Sequence, residues 1–129
     1  YPCDYGFITR TLSEDGDPLD ALVLVWESTF PGCVIESIPL GIFLMRDEKG
    51  DDEKILCVPR QDPHWNHLES LNDVPEHLLD EIEHFFSIYK DLEQKEVTIA
   101  GWRDKNEAIA AILAAQRRYE EMLGREGAK

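Results

Sequence analysis

Four short apolar and β-branched runs, Leu22 to Trp26, Val34 to Pro39, Gly41 to Met45 and Ile55 to Val58, crowd the first half of the chain. They are parted by Pro31-Gly32, by Pro39 and by the polar stretch Asp47 to Glu53, spacings too tight for helices. They predict strands of a compact sheet or barrel. Gly50 can take a positive φ within Asp47 to Asp52, so that connection is expected to be a hairpin. The period then changes. Leu78, Leu79, Ile82, Phe85, Phe86 and Tyr89 fall at helical spacing behind Pro75, which predicts a helix over about Glu76 to Asp91. Val97 to Ala100 reads as one more strand. Asp104 with Glu107 has capping-box spacing before a terminal helix expected to run to about Leu123 and stop at Gly124. At 129 residues the chain forms one domain around one core.

Immediately before the first run stands Asp15-Gly16-Asp17-Pro18-Leu19-Asp20. Three carboxylates about 6 Å apart at an effective dielectric near 20 would repel by roughly 3 kcal/mol per pair without a cation between them. Pro18 biases Asp17 toward extended backbone, and extended geometry from 15 to 17 would put those two side chains on one face, with Asp20 reaching back from the strand start. Oxygen-only ligands favour hard divalent ions, above all magnesium. The plain alternative is a solvated turn whose aspartates cap backbone N–H groups. An EF-hand loop is a poorer match, because Leu19, Asp20 and Trp26 stand where it needs an oxygen ligand, a glycine and a bidentate Glu.

A second acidic group, Asp47, Glu48, Asp51, Asp52 and Glu53, precedes Lys54. Alone it reads as an exposed charged hairpin. Together with the first group it could hold two or more ions roughly 4 Å apart, a clamp for both oxygens of a displacement at phosphorus. Lys54 would share a strand face with Asp52 and either contact phosphate or simply balance its neighbours. Lys90, beside Tyr89 near the end of the first helix, is favourable on dipole grounds without any function.

Composition narrows the partners. Thirteen basic against twenty-seven acidic residues give a formal net charge of −14, which argues against nucleic acid as a partner. A phosphorylated substrate becomes compatible with that sign once bound cations invert the local field. Cys3, Cys33 and Cys57 are odd in number and lack C-x-x-C spacing, so they are expected to be reduced packing residues, the last two in strand-like surroundings. Nothing approaches a membrane-spanning length and no secretion signal opens the chain, so a cytoplasmic protein without a membrane partner is expected.

These motifs, with Tyr1-Pro2-Cys3-Asp4-Tyr5-Gly6 before them and His84-Phe85-Phe86, Tyr89 to Glu93 and Gly101-Trp102 after them, resemble the soluble inorganic pyrophosphatases of the first family, bacterial type, over nearly the whole chain. The resemblance implies an α+β fold, a small, twisted antiparallel β-barrel (OB-like) flanked by two main helices. It implies magnesium-dependent hydrolysis of pyrophosphate to two phosphates by direct attack of water, with Mn2+ or Zn2+ as substitutes for Mg2+, and assembly as a homo-oligomer, usually a hexamer. By the same resemblance Asp15, Asp20 and Asp52 would hold the first ion, Asp20 would be shared with a second, and Asp47 with Asp52 would hold an ion arriving with substrate. Asp17 would orient the attacking water and take its proton, while Tyr5, Lys54, Tyr89 and Lys90 would bind phosphate. Asp4 stands where the family usually has Asn, which is expected to add charge beside Tyr5. The family's N-terminal segment, with early barrel strands and a glutamate, a lysine and an arginine of the site, has no counterpart here, so the chain is expected to be part of a longer protein. A non-catalytic metal-binding or assembly subunit derived from the family is the alternative.

Overall fold

The computed structural model describes residues 3–48, 50–93 and 96–127, without the side chains of 89–93. In chain order it has strands β1 (Cys3–Phe7), β2 (Asp20–Leu24), β3 (Ser37–Asp47) and β4 (Gly50–Pro59), helix α1 (Glu76–Glu93), strand β5 (Thr98–Arg103) and helix α2 (Lys105–Gly127). One five-stranded sheet runs β1-β2-β4-β3-β5. The pairs β1/β2, β3/β4 and β3/β5 are antiparallel, but β2 and β4 run parallel, in register Asp20↔Lys54 to Val23↔Cys57. The sheet is thus mixed rather than wholly antiparallel. The reason is topological: β3 makes its hairpin with β4, and β4 then returns beside β2 in the direction β2 already had.

Helices cover both faces. On one, Leu22, Leu24, Phe43, Met45, Leu56 and Val58 pack with Ile82 and Phe86 of α1. On the other, Ile42 and Ile55 pack with Leu19 and with Ala108 and Ala115 of α2. Burial from both sides explains why β3 and β4 read as continuous apolar runs instead of alternating. Phe43 is fully buried, with its ring centroid 4.9 Å from Trp102 and 5.7 Å from Phe86. Gly41 is needed where it stands, because a Cβ there would lie 2.9 Å from the Arg103 carbonyl oxygen and 2.8 Å from Leu71 Cδ1.

Several boundaries differ from the sequence expectation. Pro39 does not divide two strands: β3 runs through it, with a register shift between Pro39 and Gly41 that accommodates the missing N–H, and Val34 and Ile35 lie outside the strand. The hairpin forms as expected, pairing Asp47 with Gly50, whose φ is +120°. Helix α2 continues past Gly124, which keeps a negative φ and so never makes the left-handed cap that would end the helix. Asp104 caps it through Glu107 N–H at 3.1 Å. Strand β1 has no counterpart among the expected strands. Cys3 and Cys57 are buried packing residues, as expected, while Cys33 is half-buried in a turn rather than in a strand.

Candidate functional site

Strand alternation sorts the charged residues by face. Tyr5 follows Cys3 by two, Asp20 precedes Leu22 by two, Asp47 follows Met45 by two, and Asp52 and Lys54 precede Leu56. All five therefore lie on the α1 face, toward one end of the sheet. Asp51 and Glu53 fall on the α2 face, where Asp51 accepts a 2.8 Å hydrogen bond from Arg46 Nε. The second acidic group is thus divided by the sheet.

Lys54 is the centre of the α1-face cluster. Its side chain is only 5% exposed. Its Nζ donates to Tyr5 OH at 3.1 Å, to both Asp52 oxygens at 3.1 Å and to Asp20 Oδ2 at 3.2 Å. It also lies over two rings, 5.1 Å from the Phe86 centroid and 5.3 Å from that of Tyr5. Burial alone would favour the neutral amine, but Asp52, Tyr5 and Asp20 outweigh it and raise the ammonium's pKa. Tyr5 is 57% exposed overall, yet its hydroxyl end is desolvated, and that, against the pull of Lys54 and with Asp20 adding to it, pushes its pKa up to about 12. It is a neutral donor at physiological pH. Asp52 is raised as well, by burial first, with Asp20 and Asp47 adding to it and Lys54 opposing. One ammonium is thus paired with two carboxylates, Asp20 and Asp52, with Asp47 adding negative charge near Asp52, and oxygen donors of this kind suit a hard divalent ion.

Asp15 and Asp17 are placed differently from the extended geometry expected of them. Gly16 has φ +90°, Asp17 N–H donates to Asp15 Oδ1 at 3.0 Å, and Ser13 N–H donates to the Asp17 carbonyl at 2.7 Å. Residues 13–17 form a compact, largely exposed turn in which the Asp15 carboxylate accepts from the Asp17 N–H. The positive φ of Gly16 turns the chain between Asp15 and Asp17, so the bias that Pro18 exerts on Asp17 alone does not extend the whole segment. The structure therefore brings Tyr5, Asp20, Asp52 and Lys54 together, with Asp47 near enough to act on Asp52. It leaves Asp15 and Asp17 engaged with their own turn. Among the described residues no three acidic, His or Cys side chains converge as a ready-made ion cage. The side chains of Tyr89 and Lys90 lie outside the described residues. Asp4 does not add its charge beside Tyr5: it lies on the opposite side of β1, where its Oδ2 accepts from Thr29 N–H at 2.6 Å and from the Thr29 hydroxyl. Phe86, the platform beneath Lys54, carried no role in the sequence reading, since a core phenylalanine at helical spacing gives no sign of the cation above it. A shallow groove of about 360 Å³, lined by Val25, Trp26, Thr29, Ile35, Pro59 and His64 among others, contains none of the expected site residues.

Fold and site together define a mixed-sheet domain with a carboxylate-rich, lysine-centred cluster suited to hard cations and phosphate oxygens. The model of the inorganic pyrophosphatase family matches residues 1–120, and the chain belongs to that family. It is 58% identical over 121 residues to an inorganic pyrophosphatase of Methanosarcina mazei, covering 94% of this chain and 72% of that protein. It is 50% identical over 125 residues to one of Streptomyces coelicolor, covering 96% and 77%. Among solved structures, the inorganic pyrophosphatase of Thermus thermophilus superposes with a TM-score of 0.87 at 46% identity, over 93% of this chain and 71% of that one. That of Helicobacter pylori gives 0.87 at 41%, over 93% and 72%. The OB-like architecture expected from the motifs is the fold of these relatives. No helix among the described residues is long and apolar enough to cross a membrane.

Proposed function

We propose that this chain hydrolyses inorganic pyrophosphate to two orthophosphates with the help of magnesium. The observation that carries the reading is the convergence of Tyr5, Asp20 and Asp52 on the buried ammonium of Lys54, in a member of this family. Asp15, Asp20, Asp47 and Asp52 are the residues that would hold Mg2+, with Mn2+ or Zn2+ as substitutes. Bound divalent ions would neutralise pyrophosphate and acidify the attacking water. Asp17, on its exposed turn, accepts the proton from that water as general base. Lys54 and Tyr5 donate to phosphate oxygens, and the raised pKa values of both keep those protons in place as charge builds on the departing group. By family resemblance Tyr89 and Lys90 would add phosphate contacts. A homo-oligomer, a hexamer by family resemblance, located in the cytoplasm and engaging neither nucleic acid nor membrane, completes the reading.

Phosphate release from pyrophosphate is to be followed with Mg2+ and with EDTA. Turnover that appears only with the divalent ion supports the proposal; ion binding without phosphate release would reduce the chain to a metal-binding relative of an enzyme.

A further inference from the structure

The turn that carries Asp15 and Asp17 is held from behind by helix α2. Leu19 anchors its end in the core with Ala108 and Ala115. Those alanines are small enough for the loop backbone to reach the helix backbone, and Leu12 N–H donates to the Ala115 carbonyl at 3.0 Å. Thr11, buried at the root of the loop, accepts from Leu19 N–H at 3.0 Å and donates to the Ile8 carbonyl at 2.6 Å. One turn further along α2, Arg118 donates through Nη1 to the Leu12 carbonyl at 3.1 Å and brings Nη2 within 3.7 Å of Glu14, next to Asp15.

From this arrangement we infer that Arg118 is a positioning residue, a cationic clasp that fixes the Asp15–Asp17 turn against α2, which itself packs on Ile55 of β4, so that the two carboxylate-bearing segments hold their relative places. The inference rests on the proposed use of these carboxylates for ions, and Arg118 itself touches none of the residues proposed to meet substrate. A guanidinium suits the task because its fork serves a carbonyl and a carboxylate at once. With the fork removed, the turn keeps its internal hydrogen bonds, the Leu12–Ala115 contact and the anchoring of its root by Thr11 and Leu19, but loses its charged tie to the helix.

Hydrogen exchange in the full chain tests this together with calorimetric Mg2+ binding in the absence of substrate. In Arg118→Ala the amides of Leu12, Ser13, Gly16 and Asp17 are expected to exchange about tenfold faster while those of Phe43 and Leu44 keep their rate. Mg2+ affinity is expected to fall about fivefold or more. Arg118→Lys should recover part of both, and Arg117→Ala, on the exposed side of the helix, should change neither. Should the alanine variant fail to fold, Arg118→Gln carries the same expectations. Unchanged exchange in the turn overturns the inference, and so does faster exchange with unaltered Mg2+ affinity. A parent chain that binds Mg2+ but releases no phosphate would defeat the functional proposal alone, leaving the exchange and binding comparison to decide on Arg118.

Discussion

Replacing Lys54 by Met keeps the stem against Phe86 and removes only the charge. Asp20 and Asp52 both lie within 3.2 Å of that nitrogen, so their bonded oxygens are at most about 6 Å apart, where like charges repel by roughly 3 kcal/mol at an effective dielectric near 20. Their side chains remain 30% and 34% exposed, and water screens part of this, leaving about 2 kcal/mol. Lys54→Met should therefore lower stability at pH 7 in EDTA by about 2 kcal/mol, or about 1 M in the urea midpoint. Saturating Mg2+ should close at least half of that gap, because a cation again separates the carboxylates. Acidification should close it too. Without the lysine, every remaining influence on Asp52 is upward, so the group protonates early as pH falls and the repulsion disappears. Urea titrations of parent and variant, with and without Mg2+, at pH 7 and pH 4, give the answer. A gap of the same size under all four conditions would mean that Lys54 contributes packing and not charge.

The division of labour among the aspartates predicts that Asp17→Asn keeps Mg2+ binding within a few-fold while turnover falls by at least about 100-fold; Asp20→Ala should weaken both, as calorimetry beside phosphate release would show. Asp4 is held below its usual pKa by the Thr29 hydroxyl first and the Thr29 N–H second. Its contribution is therefore present above the unfolded value of about 3.9 and lost as pH falls through the lower folded one. Asp4→Asn should cost about 1 kcal/mol at pH 7 and progressively nothing below that window; a constant difference down to pH 2 would refute the charge-assisted bond. Gly41→Ala should destabilise by about 1–3 kcal/mol, because its Cβ meets the Arg103 carbonyl, and thermal melting suffices to measure it.

Elements with strong local signals were legible in the chain. The 47–50 hairpin, the helix behind Pro75 and the apolar centre of β4 each agree in turn chemistry, period and burial. Strand β1 was hidden because Cys-Asp-Tyr-Gly-Phe has no β-branched residue and is held by pairing with β2, a tertiary cause. Pro39 misled because proline in a strand looks like a break until a bulge accommodates it. In the site, the Asp52-to-Lys54 spacing correctly placed both on one face. The local bias of Pro18 was a poor guide to Asp15 and Asp17, because one glycine decides the turn. Glu14 and Arg118 gave no signal at all, standing 104 positions apart in sequence with nothing in either neighbourhood to suggest their meeting.

Asp20 and Lys54 face each other across a parallel ladder rather than a hairpin. Parallel neighbours can meet only after the intervening chain has closed its crossover, so this contact costs more loop entropy than the β3–β4 hairpin and is expected to form after it. A peptide spanning only the acidic hexapeptide should accordingly hold Mg2+ no better than any flexible acidic sequence. Divalent ions should slow the escape from the native state while leaving the first collapse of the chain untouched.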